Sequence, residues 1–307
     1  MSVQQATRKK NKKRGQIVFA IVMLFIPLTQ FFLFYVCVNF NSILMAFQKY
    51  TRTSGGWVTS FAGFDNFKSI LSKIFITDES TELQAAFANS FLMCFLNLTV
   101  KTFLALLFSF YICKRFLFHK AYRTLLYLPN IISGVVLVVI FKYFIDDALV
   151  AWSNQKFGNW IGENNKTVLL FYSIWAYLGT TVLVYSNAMG AVSDSVIESA
   201  RLDGAGYFRE FWNIYVPLIF PTMITFIINA LAVLFIDQMN LFSFYTRSAD
   251  PENVTIGYYL YRETQRAGTD LSKYPELSAF GLLLTMVCAP LTLLIRKLLT
   301  KIGGVDE

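Results

Sequence analysis

Hydrophobic residues in this chain collect into six long runs divided by polar segments. The runs are Ile17 to Val38, Ala85 to Cys113, Thr124 to Ile145, Thr167 to Ala191, Val216 to Ile236 and Ser278 to Leu299. At about 1.5 Å per residue, a hydrocarbon core about 30 Å thick takes about 20 apolar residues to cross, and each run is that long. Backbone polar groups in lipid need partners within their own segment, so the runs predict helices. The alternating strands of about ten residues that a membrane β-barrel uses are not evident. The predicted fold class is an all-α membrane protein with six transmembrane helices.

The polar segments carry the orientation. Arg8, Lys9, Lys10, Lys12, Lys13 and Arg14 precede the first run, Lys114, Arg115, Lys120 and Arg123 follow the second, and Arg296, Lys297 and Lys301 close the last. Basic residues concentrate on the cytoplasmic side, so both termini are expected inside. The resulting organisation is a basic N-terminus (1–16), a membrane domain (17–300) and a cytoplasmic tail (301–307). The first run exceeds a signal-peptide core and has no small-x-small cleavage site, so it reads as a retained span, with Pro27 and Gln30 suggesting a kink and a helix contact. Outer loops are expected at 39–84, 146–166 and 237–277. The first holds turn signals at Ser54-Gly55-Gly56 and Gly63-Phe64-Asp65-Asn66-Phe67. The third holds Tyr258, Tyr259 and Tyr261, suited to the headgroup level or, alternatively, to a partner or sugar.

Composition agrees with a membrane chain: 55% of residues are hydrophobic and 15% charged, against roughly a quarter charged in soluble proteins. The net charge of +8 is then a topology signal and a lipid-facing anchor rather than a nucleic-acid footprint. Cys37, Cys94, Cys113 and Cys288 are spread over separate runs, and His119 is the one histidine. That spacing offers neither a disulfide framework nor a metal site, and no metal or bound cofactor is expected.

One polar segment departs from the rest. The stretch 192–217 lies between the fourth and fifth runs, is long, and is nearly neutral, with Asp194, Glu198, Asp203 and Glu210 against Arg201 and Arg209. Ser195 and Glu198 form an S-x-x-E capping-box pattern at a helix start. Glu198 and Arg201, three apart, are expected to pair. The helix should stop at Gly204 to Gly206, where glycine takes the left-handed turn without steric cost. A second short helix should put Phe208, Phe211, Trp212 and Tyr215 on one side. Capping accounts for Ser195, Glu198 and one glycine. It leaves the cluster of Ala200, Gly204, Ala205 and Gly206 unexplained, and small residues suit close approach by another backbone.

The order Glu198-Ser199-Ala200, Asp203-Gly204-Ala205, Phe211, Ile214 and Pro217-Leu218 resembles the EAA loop of bacterial binding-protein-dependent ABC importer permeases. Ser199, Arg209 and Val216 depart mildly from that pattern. Arg123 to Pro129, Phe141-Lys-Tyr-Phe, Gly63 to Phe67 and Thr255-Ile-Gly257-Tyr resemble the MalF-like, carbohydrate-uptake branch. The resemblance covers most of residues 17 to 300. It implies a multi-pass permease subunit in a bacterial cell membrane, inner or plasma. Its partners would be a second homologous permease, two cytoplasmic ATPase subunits and an extracytoplasmic solute-binding protein. The loop would be a coupling helix docked on an ATPase, carried by Ser195, Glu198, Ala200, Asp203, Gly204, Ala205 and Gly206. The chain has no phosphate-binding G-x-x-x-x-G-K-[ST] loop, and Gly162 to Thr167 fails the spacing. ATP would therefore be used by the partner subunit.

Polar residues inside the runs are the candidates for a substrate pathway. Tyr185, Asn187, Asn229, Asp237 and Gln238 are proposed for it, with Thr225 nearby and Gly179 and Pro221 as deformation points. Hydrogen bonds between helices explain any one of them equally well. Lys101 lies near the centre of the second run, where a charge faces protein or water, in the pathway or in a structural pair. Lys142, near the outer boundary, is expected to snorkel. A permease for another solute and an ion-gradient-driven carrier are the alternatives. A carrier calls for a buried acidic relay that the runs do not show, and an enzyme calls for a catalytic constellation that is likewise missing.

Overall fold

The computed structural model describes residues 3–75, 80–152, 166–237 and 239–304. They divide into two compact units, residues 1–70 with 269–282, and residues 71–268 with 283–307.

The first unit begins with helix α1 (Val3–Gln30). Its register widens to a π-helix at Phe31–Cys37, just after Pro27, and continues as α2 (Val38–Ala46). Proline withholds one backbone donor and crowds the preceding turn, and a π-turn is one way a helix absorbs that. Residues Gly15 to Leu44 are all exposed, so this apolar stretch buries nothing against the described residues. Strands β1 (Gln48–Thr53) and β2 (Gly56–Phe61) then form an antiparallel hairpin, with Gln48 opposite Phe61 and Thr53 opposite Gly56. The hairpin is a local exception to the all-α expectation. Alternating polar and β-branched residues around Ser54-Gly55 make it, over a stretch too short and polar to register as a strand pair among long apolar runs.

The Gly63-to-Phe67 segment starts helix α3 (Asp65–Phe75). Gly63 has φ +57°, and Asn66 Nδ2 donates to the carbonyls of Ala46 and Gln48, each at 2.8 Å. Phe47, Phe64 and Phe67 meet edge to face and tilted at 5.2–5.7 Å. The motif is thus a bracket that fixes the hairpin to the helix after it.

The second unit holds α4 (Ser80–Leu96), a π-turn at Asn97–Lys101, and α5 (Thr102–Cys113). Helices α6 (His119–Ile131), α7 (Gly134–Tyr143) and α8 (Leu149–Trp152) follow, then α9 (Lys166–Gly190). Next come α10 (Asp194–Leu202), α11 (Tyr207–Glu210), α12 (Val216–Leu218) and α13 (Phe220–Ala232). The unit closes with α14 (Leu241–Tyr245), α15 (Ile256–Ala267) and the end of α16 (Tyr274–Ile302). Among the described residues four helical stretches are long and apolar enough to cross a membrane, and six if each of two bent pairs counts as one.

The bent pairs coincide with the third and fifth apolar runs. One turns by 109° between Ile131 and Gly134, the other by 67° at Ile219. Pro221 follows the second bend and Pro217 precedes it, so the missing donors concentrate there. Gly179, by contrast, is no deformation point. It lies within the unbroken α9, where an added Cβ would stand 2.0 Å from the Leu126 carbonyl oxygen. The glycine lets α6 lie against α9 at close range. On another side of α9, Ala105, Leu106 and Ser109 of α5 pack on Leu178, Val182 and Tyr185, and Ser109 Oγ donates to the Val182 carbonyl at 3.0 Å.

Candidate functional site

Small and polar residues facing one another across α5, α9 and α13 leave a cleft of about 710 Å³. The π-turn before α5 contributes Asn97 and Lys101, α9 contributes Tyr177 and Thr181, and α13 contributes Phe226 and Asn229. Asp237, Asn240, Phe242 and Tyr261 complete much of the wall. The volume lies in the range of small-molecule sites, and the lining mixes donors, acceptors and aromatic faces.

The wall is organised by hydrogen bonds. Asp237 Oδ1 accepts from the Met239 amide at 2.9 Å, and its backbone carbonyl accepts from Thr255 Oγ1 at 2.8 Å. Thr255 also caps α15 by accepting from the Tyr258 amide. An added Cβ on Gly257 would come within 2.3 Å of the Ile236 carbonyl. Thr255-Ile-Gly257-Tyr is therefore the seat on which the Asp237 segment rests. Tyr177 and Asn240 bond each other across the cleft, the Asn240 amide donating to the Tyr177 oxygen at 2.8 Å.

Of the residues expected in a substrate pathway, Asn229 and Asp237 line the cleft together. Tyr185 does not. It is fully buried against Phe226, ring centroids 5.1 Å apart, and its hydroxyl has no partner among the described residues. Asn187 lies exposed near the end of α9, outside the cleft. Thr225 bonds its own helix at Pro221. Gln238 lies outside the described residues. Helical phase explains the two misses: Tyr185 points with Met189 and Val182 into the α5 interface, and Asn187 points away from it.

The cleft also draws in Asn97, which the sequence reading left aside, and Lys101, which it placed in the pathway or in a structural pair. Asn97 and Lys101, four apart, stand together on it, and the Lys101 ammonium makes no hydrogen bond among the described residues. Their i, i+4 spacing near the centre of the second run was the available signal. The Lys142 ammonium donates to the Phe244 carbonyl at 3.0 Å. Tyr258 and Tyr259 are interior, the Tyr258 hydroxyl donating to Thr246 O, and Tyr261 alone of the three lines the cleft.

The second site is the loop 192–217. Helix α10 starts at Asp194 with Ser193 as its N-cap, so Ser195 lies inside the first turn and bonds the Ser193 hydroxyl instead of the backbone. The capping box is not formed, because the helix begins two residues earlier than its pattern requires. Arg201 pairs with Glu210, Nε to Oε1 at 2.7 Å, rather than with Glu198. The helix ends as expected. Gly204 has φ +81°, its amide donates to Arg201 O, and the Ala205 amide donates to Ala200 O. Those two bonds make a Schellman motif, which needs a residue at ease with positive φ.

Ser195, Glu198, Asp203, Gly204 and Gly206 are exposed, Ala200 and Ala205 half-buried, and α10 buries no residue. The following aromatics divide instead of sharing a side. Phe211 and Tyr215 are buried against Phe110, while Phe208 and Trp212 face outward. A π-helix at Phe211–Tyr215 shifts their phase. Open space surrounds Gly204 and Gly206, and Leu202 and Phe208 stand 89% and 79% exposed beside them.

Membrane-crossing helices gathered round a polar cleft, with a capped and unburied helix on a connecting loop, define a solute-transport subunit. Residues 103–301 match the family described as "Binding-protein-dependent transport system inner membrane component", and the chain belongs to it. Protein LplB of Bacillus subtilis is 27% identical over 222 residues, covering 68% of this chain and 66% of that protein. The sn-glycerol-3-phosphate transport system permease protein UgpA of Yersinia pseudotuberculosis is 27% identical over 240 residues, 75% of this chain and 79% of that one. The arabinooligosaccharides transport system permease protein AraP of Halalkalibacterium halodurans is 24% identical over 279 residues, 85% and 84%. In fold, the chain is similar to a bacterial ABC transporter involved in import of the acidic polysaccharide alginate. That chain superposes with TM-score 0.72 at 20% identity, over 96% of this chain and 99% of its own.

Proposed function

We propose that the chain is the permease subunit of an ATP-driven importer for a sugar or oligosaccharide, supplying half of the translocation pathway. The observation that carries this reading is the family match across 103–301, because it spans the loop 192–217 and the cleft lining from Ser173 to Tyr261. A carbohydrate substrate is supported by a relative named for arabinooligosaccharides, and a hydroxyl-rich substrate more broadly by one named for the polyol phosphate sn-glycerol 3-phosphate. It is supported also by a wall that sets the Lys101 ammonium, the Asn97 and Asn229 amides and the Asp237 carboxylate among the rings of Tyr177, Phe226, Phe242 and Tyr261. Hydroxyl-rich ligands need that alternation of donors, acceptors and stacking faces.

In this reading the chain crosses a bacterial inner membrane six times, each bent pair counting once, with both termini in the cytoplasm. A second homologous permease completes the pathway and an extracytoplasmic binding protein delivers the solute. Helix α10 with its glycine end docks on one of two ATPase subunits, which bind and hydrolyse the ATP. The exposed Leu202 and Phe208 and the open space round Gly204 support a docking role.

The test is uptake into proteoliposomes holding the permease pair, its ATPases and its binding protein. Accumulation of the sugar should require ATP and the binding protein and survive an ionophore. Uptake that needs no ATP and collapses with the ion gradient would establish a secondary carrier instead.

A further inference from the structure

Glu210 is the most deeply enclosed carboxylate beside the loop, 1% exposed. An isolated charge there would be costly, and it is held by two cations from different helices. Lys114, the residue that ends α5, forms one ion pair with Oε2. Arg201 of α10 forms the other with Oε1 at 2.7 Å. The Lys114 ammonium also lies 4.9 Å from the Tyr215 ring centroid and 5.5 Å from that of Phe110. The Lys114 side chain is 7% exposed, whereas half of Arg201 reaches solvent.

Three helices therefore meet at one carboxylate. The meeting matters because α10 has little else to hold it: it buries no residue, and Ile197 is its one apolar side chain resting on the core. The other two helices lead to the cleft. Lys114 closes the helix whose opposite end bears Thr102 and follows Lys101. Glu210 opens the run through α12 into α13, which bears Phe226 and Asn229.

We infer that Glu210 is a positioning residue that ties α10 to two of the helices walling the cleft, α5 and α13, so that movement of α10 is passed to those two walls together. The inference rests on the proposed docking of α10 to an ATPase. Without the Arg201 bond, α10 would pivot about Ile197 and the movement would be lost as slack. The pairing is specific in geometry: Glu210 sits four residues beyond Gly206, at the end of the turn that follows the Schellman reversal, and this brings it back under Arg201.

Truncating Glu210 leaves Lys114 charged and enclosed, which tests folding more than transmission. Arg201, half in solvent, is the cleaner position. In the complete transporter, Arg201→Ala should co-purify with its ATPases as the parent does and keep hydrolysing ATP. Solute moved per ATP should fall about tenfold, the scale of an ordinary coupling energy, and Arg201→Lys should restore much of it. An unchanged ratio in Arg201→Ala would overturn the tie. Loss of the ATPases from that variant would also overturn it, making Arg201 a docking contact and leaving the docking reading intact. Leu202→Glu reports on docking alone: ATPases still bound and uptake unimpaired would remove the docking reading on which the tie depends.

Discussion

Single residues here carry two kinds of meaning that a sequence pattern merges. Gly204 is required by backbone conformation, since φ +81° in the Schellman turn penalises any Cβ by about 1–2 kcal/mol. It also borders open space that a partner could enter. The two roles separate in a pair of variants. Gly204→Ala should weaken uptake modestly through strain, whereas Gly204→Glu should abolish it and release the ATPase while the chain still inserts. Equal losses in both would assign the glycine to the turn alone. Lys101 is the residue-scale test of the cleft. Lys101→Met keeps length and removes the charge, and should lower uptake about tenfold, equivalent to about 1.4 kcal/mol of transition-state stabilisation, with assembly unaltered. Unaltered uptake would place Lys101 outside the pathway. Both residues stood out in the sequence, one by motif and one by its cost in lipid. Glu210 did not, because nothing in Phe-Arg-Glu-Phe says that its neighbours in space are Lys114 and Arg201.

Elements follow the apolar runs closely, and their interruptions are where tertiary structure intervenes. Runs three and five become bent pairs because prolines and a Ser-Gly step remove helical bonds in mid-run. The expected capping box at Ser195 gave way to Ser193, since the S-x-x-E spacing occurs by chance wherever serines cluster. Gly179 reads as a hinge in sequence and acts as a contact. Its α9 stays continuous and the Leu126 carbonyl fills the place of a side chain. Gly179→Ala should therefore loosen α6 from α9 and cost about 1–3 kcal/mol of stability. Gly190→Ala in the same helix meets no atom within 4 Å and should be neutral. Thermal unfolding of the solubilised complex compares them, and equal melting would refute the close-contact reading.

The whole molecule adds topology to these parts. If both termini lie inside, as the Lys and Arg pattern predicts, Ser54 is expected outside and Leu202 inside. A cysteine at Ser54 should then react with an impermeant reagent in intact cells, and one at Leu202 only after permeabilisation. Labelling of both from outside would contradict the orientation. The sequence by itself determined the helical membrane class, the family and the loop motif. Those rest on local quantities: run length, charge placement and spacing along one chain. The tertiary structure decided which polar residues share a cleft, joining Asn229 and Asp237 with Asn97 and Lys101 and sending Tyr185 into the α5 interface. It decided as well that Arg201 answers to Glu210. The physical reason is rotation: each helix presents a different face every residue, and only packing against distant segments selects the face that turns toward the cleft.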